Sequence, residues 1–184
     1  MIKKLRMMDA VILKKIKKLH NRTNNRIMAV ITTLGTGGLV WFLMCIPFFF
    51  FEDQIDTALN IPFALIIAWL VGEITIKHLV GRTRPSETLP EEEQIIKRPK
   101  YYSFPSGHSA SSFSVVAVMI MRSNIFIVIP VVILASLIAF SRLYLRVHYF
   151  TDVFAGVVLG LVCGFASVSL FDSIMKNILQ IQLA

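Results

Sequence analysis

The sequence predicts an all-α integral membrane bundle of about five transmembrane helices, preceded by an amphipathic helix lying at the membrane surface. Three observations predict it. The chain is 55% hydrophobic and 16% charged, whereas soluble domains lie near about 45–50% apolar and about 25% charged. The apolar residues gather in runs long enough to cross a bilayer. The charges gather between those runs, mostly as lysine and arginine, for a net charge of +8. Cations at membrane edges suit anionic lipid headgroups. The sequence carries no nucleic-acid-binding motif, so the expected partners are the bilayer and a lipid, not nucleic acid. The oligomeric state is not readable from the sequence.

The elements follow in order. Ile2, Leu5, Ile12, Ile16 and Leu19 recur at helical spacing, with Lys3, Lys4, Lys14, Lys15, Lys17 and Lys18 between them. This is the pattern of a basic helix lying on a membrane, although Asp9 interrupts its apolar stripe. Residues 27–51 carry no charge and would extend about 37 Å as a helix, enough for a first span. No secretory cleavage pattern precedes them, so this span is expected to act as its own insertion signal. Glu52 to Asp56 form an acidic turn. Thr57 to Val80 form a second span with Glu73, Lys77 and His78 in its last two turns. Ionisable groups at that depth are costly and face a cavity or a partner. Glu73 and Lys77, four apart, can pair.

Residues 81–104 form a polar loop containing Arg82, Arg84, Pro85 and the solvated run Glu91-Glu92-Glu93. Pro105 to Met121 give a third span, rich in serine at its start. Ile125 to Ser141 give a fourth, interrupted by Pro130, and Val153 to Phe171 a fifth. Gly156, Gly160 and Gly164 in the fifth allow another helix to approach closely. Cys45 and Cys163 lie inside apolar runs and read as core residues, neither a disulfide nor a metal site. The whole chain, 1–184, reads as one domain: a basic segment over 1–26 and a bundle over 27–172.

An even number of spans separates the N-terminus, the 81–104 loop and the 142–150 turn, which places all three on one membrane face. Three polar stretches therefore converge. In Lys77-x6-Arg84-Pro85, a spacing of seven puts both cations on one helical face, and Pro85 helps to end the helix. In Pro105-Ser106-Gly107-His108, Ser106 can cap the third helix, whose free N–H groups attract an anion. Gly107 lets the backbone come close to that anion, and His108 stands ready to exchange a proton. In Ser141-Arg142-x5-His148-x3-Asp152, Asp152 lies one turn beyond His148 and can hold the ring in one tautomer, leaving the other nitrogen free to attack. Arg142 adds a fork that matches phosphate oxygens. Singly, these stretches read as snorkelling cations, a helix cap beside a histidine, and a juxtamembrane loop. Together they make a phosphate site with a nucleophile and an acid.

The three stretches resemble the signature of the type 2 phosphatidic acid phosphatase superfamily, which also includes vanadium-dependent haloperoxidases and bacterial acid phosphatases. The resemblance implies a membrane lipid phosphate phosphatase, similar to bacterial enzymes acting on phosphatidylglycerol phosphate or undecaprenyl diphosphate. It implies that His148 attacks phosphorus to form a phosphohistidine, with Asp152 orienting it, and that His108 protonates the leaving group and later activates water. Lys77, Arg84, Arg142, Ser106 and the Gly107 amide would hold the phosphoryl oxygens. No metal or other cofactor is expected. A haloperoxidase would share the anion pocket, but a small chain embedded in a membrane suits a lipid better. The competing classes are a lipid-binding membrane protein without activity and a phosphatase without lipid preference. The lipid chain is expected near the serine-rich start of span three or the glycine row of span five. The five spans counted depart from the six common in the family's membrane members. The family points to an extracytoplasmic site. The charge rule points to a cytoplasmic one, because sixteen of the nineteen lysines and arginines lie in 1–26, 81–104 and 142–150.

Overall fold

The computed structural model describes residues 2–182, which form helices and short helical turns with no strand among them. Helix α1 is Ile2–Lys17. It does more than lie on a surface. Leu13, Ile16 and Asp9 are buried, while Leu5, Met8 and Val11 remain exposed. Ile16 packs with Leu143, Tyr144, Val147 and Val153 of the bundle. The side chain of Ile2, first in the predicted stripe, lies outside the described residues.

The predicted first span is broken. Helix α2 (Arg22–Leu34), capped by the Asn21 side chain, meets helix α3 (Leu39–Cys45) at a bend of 49°. The intervening Gly37 and Gly38 have φ of 62° and 73°, a left-handed backbone that glycine adopts without a side-chain clash. The run Gly35-Thr36-Gly37-Gly38 is thus the physical reason that an unbroken helix over 27–51 does not form.

The second span runs from Glu52 to Val80. It comprises α4 (Ile55–Trp69), a π-helical stretch (Leu70–Ile76) and α5 (Lys77–Val80). Helix α6 (Gly107–Arg122) has 16 residues, fewer than the about 20 that a free-standing span requires. It is enclosed by α4, α7 (Ile125–Tyr144) and α8 (Phe150–Gln182). Pro130 does not interrupt α7: the helix runs through it, at the loss of one bond to the Phe126 carbonyl. Helix α8 has 33 residues and overruns the predicted fifth span at both ends. Among the described residues three helices are long and apolar enough to cross a membrane singly, and the bent pair α2–α3 makes a fourth. The protein is a multi-pass membrane protein.

The centre of the bundle is the seam between α6 and α8. A Cβ added at Gly156 would meet the Ser106 carbonyl oxygen at 2.5 Å, and one at Gly160 would meet Phe113 Cβ at 3.0 Å. One at Gly164 would meet Ala117 Cβ at 2.6 Å. The glycine row therefore packs helix on helix, with Ser109 and Ser114 buried along the contact. It is not the lipid groove expected there from the sequence. Trp41, Ile61, Val115, Met119 and Ile138 form the adjoining apolar core. At one end of the bundle, Glu93 joins Lys17 and Arg146 at 2.8 Å each, so α1, the 81–106 loop and the 145–149 turn share a face. Arg122 pairs with Asp172 at the opposite end.

If this seam holds the bundle together, Gly160→Val must force α6 and α8 apart. The expected cost is about 1–3 kcal/mol of stability, seen as a lower unfolding midpoint of the purified protein in a mild detergent.

Candidate active site

A cavity of about 510 Å³ opens between the bent first span, α4 and the loop. Its inner end is lined by Glu73, Lys77, Arg84, Gly107, His108, Arg142 and His148. Its outer end is lined by Gly38, Phe42, Leu65, Ile66 and Trp69. Of the predicted site residues, six line one pocket. Ser106 and Asp152 stand just behind it.

Each side chain is placed by a local feature. The π-helical stretch sets Glu73 and Lys77 on the cavity wall, where they form an ion pair; such stretches recur at functional sites. The Glu73 carboxylate lies directly against the Gly107 backbone, where a Cβ would make it shift. Ser106 caps α6, accepting from the Ser109 amide at 3.4 Å and the Ser109 hydroxyl at 2.9 Å. The Gly107 backbone borders the cavity, and Ser106 lies behind it. His108 sits in the first turn of α6. Its Nε2 is buried without a partner among the described residues. The break in the first span fits closely over it: a Cβ on Gly35 would come within 2.9 Å of its ring.

Three cations converge. Lys77, Arg84 and Arg142 are each no more than 4% exposed. Arg84 donates from Nε to the Tyr101 carbonyl at 2.5 Å and from Nη1 to the Val147 carbonyl at 3.0 Å. Arg142 donates from Nη1 to the Thr32 hydroxyl at 2.5 Å, and its Nε has no partner among the described residues. Among the described residues that line the cavity, Glu73 is the one carboxylate. The excess of positive charge in a buried pocket makes it an anion site.

The tautomer of His148 follows from its partners. Arg84 Nη1 lies 2.9 Å from Nε2, and a guanidinium can only donate, so Nε2 carries the lone pair. The proton then sits on Nδ1, which donates to the Ser103 carbonyl at 2.7 Å. Asp152 Oδ2 is 3.7 Å from Nδ1, beyond a hydrogen bond. Instead it accepts from the Tyr149 amide at 2.9 Å. The residue that fixes the ring is thus Ser103, which the sequence does not single out; a main-chain carbonyl leaves no trace in residue type. Thr32 and Tyr101 are likewise not singled out by sequence.

Burial first, then the positive charges of Arg142, Arg84 and Lys77, hold the His148 imidazole well below its ordinary pKa near 6.5. A neutral ring with Nε2 unprotonated is the form able to attack.

The profile of the PAP2 superfamily matches residues 57–176. The chain belongs to the PAP2 superfamily. It is 27% identical over 148 residues to undecaprenyl-diphosphatase of Sulfolobus acidocaldarius, covering 80% of this chain and 71% of that protein. It is 28% identical over 169 residues to phosphatidylglycerophosphatase B of Bacillus subtilis, covering 85% and 79%. The crystal structure of a transmembrane PAP2 type phosphatidylglycerolphosphate phosphatase from Bacillus subtilis superposes with a TM-score of 0.75 at 26% identity, covering 92% of this chain and 86% of that one. These PAP2 relatives are phosphatases by name, and the chain is by that kinship a phosphoric ester hydrolase.

The placement of His148 carries a direct test. At pH 6.5 an unperturbed imidazole is half protonated. The His148 ring is expected to remain neutral there, with its proton on Nδ1. ¹⁵N NMR of histidine-labelled protein, with His148→Ala assigning the signal, checks both points.

Proposed function

We propose that the protein is a metal-independent lipid phosphate or diphosphate phosphatase that works through a phosphohistidine on His148, and that residues 1–184 act as a single catalytic domain. The observation that carries this reading is the cavity itself: a cationic end holding an unprotonated His148 Nε2, continuous with an apolar end between membrane spans. Lys77, Arg84, Arg142 and the N-terminus of α6 bind the phosphoryl oxygens, and charge that develops in the transition state meets fixed cations. A phosphoryl oxygen competing for the Arg84 N–H frees the His148 lone pair. Nε2 then forms a bond to phosphorus as the bond to the leaving oxygen breaks. His108 protonates that oxygen and, in the second step, takes a proton from the water that releases phosphate. Asp152 supports the ring and the positive charge it gains.

The lipid chain lies in the apolar arm of the cavity, against Phe42, Leu65, Ile66 and Trp69. Ile66 and Trp69 are about half exposed and open towards the bilayer, so the substrate enters sideways. Undecaprenyl diphosphate, phosphatidylglycerol phosphate and phosphatidic acid all fit this description. Sixteen of the nineteen basic residues lie in segments at or beside the site end, which by the positive-inside rule orients the site to the cytoplasmic face of the cell membrane.

Two outcomes are expected. His148→Ala lowers kcat by about a thousandfold or more, while the wild-type enzyme keeps its activity in EDTA and loses it with vanadate, which mimics the transferring phosphoryl group. Phosphate release from purified protein measures this, and restoration of lost activity by Mg²⁺ would exclude the mechanism. Secondly, the lipids exceed a water-soluble phosphate ester in kcat/KM by more than about tenfold, since about 1.4 kcal/mol is available from burying a few methylenes. Trp69→Ala reduces that margin without affecting the soluble ester. Equal efficiency on both substrates rules out the lateral groove.

A further inference from the structure

The N-terminal helix reaches the site through a chain of charges that the phosphate-binding residues do not use. Asp9 of α1 is 1% exposed, on a helix whose lysines face solvent. A carboxylate so buried is costly unless every lone pair is engaged. Its Oδ1 accepts from the Thr151 amide at 3.0 Å. Its Oδ2 accepts from the Thr151 hydroxyl at 2.7 Å and from Arg82 Nη2 at 2.7 Å. Arg82 turns its other nitrogen, Nη1, to the Thr151 hydroxyl at 2.7 Å and to Asp152 Oδ1 at 2.6 Å. The hydroxyl directions agree: Thr151 gives its one proton to Asp9 and accepts from Arg82. The guanidinium also lies 4.0 Å from the centre of the Tyr149 ring.

Asp152 is therefore held on one oxygen by the Tyr149 amide, just before its own helix, and on the other by Arg82. Its Oδ2 stands 3.7 Å from His148 Nδ1, and Arg82 is the side chain that holds the other oxygen of the same carboxylate. Asp9 and Thr151 fix Arg82 from the far side. A planar fork between two carboxylates transmits position in a way that a lysine cannot.

We propose that Asp9 and Arg82 are positioning residues for the His148–Asp152 pair, so that docking of α1 on the bundle sets the geometry of the nucleophile. The proposal rests on the phosphohistidine reading above. It gives α1 a second role. The helix that offers Leu5, Met8 and Val11 to the membrane also carries the acid that ends this chain, so its seat on the bundle and the alignment of the site are one mechanical unit.

The test compares Arg82→Gln, Arg82→Lys, Asp9→Asn and the Asp9→Asn/Arg82→Gln double variant in the full-length protein. Arg122→Gln serves as control, breaking an ion pair at the opposite end. A small misplacement of reacting groups costs up to about a hundredfold. Arg82→Gln is expected to lower kcat between about tenfold and a hundredfold with KM changed less than twofold. Asp9→Asn should act in the same direction, and Arg82→Lys should be intermediate. The double variant should be no worse than Arg82→Gln alone, since both act through one chain. The ¹⁵N shift of His148 Nδ1 should move in all four and not in Arg122→Gln. That reading needs no turnover, so it stands even if wild-type protein releases no phosphate or His148→Ala retains activity, results that would count against the phosphohistidine instead. Unchanged kcat together with an unmoved Nδ1 shift, or losses that merely follow the folded fraction as in the control, overturn the proposal. Should Arg82→Gln fail to fold, Arg82→Lys, which keeps the charge and the stem, decides by the same two measurements.

Discussion

Three buried cations facing one carboxylate are the constraint on which the rest of the structure depends. Each of Lys77, Arg84 and Arg142 has left water, and Coulomb repulsion within the pocket opposes the fold. The protein offsets this with oxygens that are not charged: the carbonyls of Tyr101 and Val147 and the hydroxyl of Thr32. These acceptors come from the loop, the 145–149 turn and the first span. Holding the cations together thus requires all of those segments to be in register. The tight α6–α8 seam supplies the rigid frame for this, because it fixes both the helix start beside the anion pocket and the first turn that holds Asp152. The Ser106 amide even donates to the Asp152 carbonyl at 3.0 Å, so the two signature stretches are joined through the main chain.

Much of the site was legible in the sequence, for a physical reason. A buried anion site needs cations, and lysine, arginine and histidine stand out in apolar surroundings. Lys77, Arg84, His108, Arg142 and His148 were therefore found by type and spacing, and the structure brings all five to one cavity. The Glu73–Lys77 pair was likewise visible as an i, i+4 relation. What escaped was the part carried by backbone or by ordinary residues. The Ser103 carbonyl fixes His148, yet any residue supplies a carbonyl. Arg82 lay among the unspecified positions of its own motif. Asp9 was visible only as a flaw in an amphipathic pattern, and that flaw was the signal: a charge on the buried stripe of a helix requires a partner.

The fold was legible in its class and less so in its spans. Apolar runs show where helices lie but say little about where they bend, so the 49° break at Gly35–Gly38 required attention to φ and not to hydropathy. The glycine row of α8 was legible as a close-packing surface, but its small residues also suggested a lipid groove. The two uses exclude each other, because a seam in which a methyl group added at Gly156 would lie 2.5 Å from a carbonyl oxygen has no room for a chain. The space lies instead between the broken span, α4 and the loop, whose residues line the cavity.

That break shapes what happens after bond cleavage. The cavity joins a cationic lining to an apolar one between membrane spans, so in the proposed reaction its two products differ in the surroundings that suit them. On the proposed reading the inorganic ion belongs with water and the dephosphorylated lipid with the apolar arm and the bilayer. The products separate by solubility as soon as they part, so neither readily meets the other at the nucleophile again. The proposed hydrolysis would then be made directional by where its products dissolve as well as by its chemistry, and the bent first span, which lines the cavity, is the element that brings the two environments together.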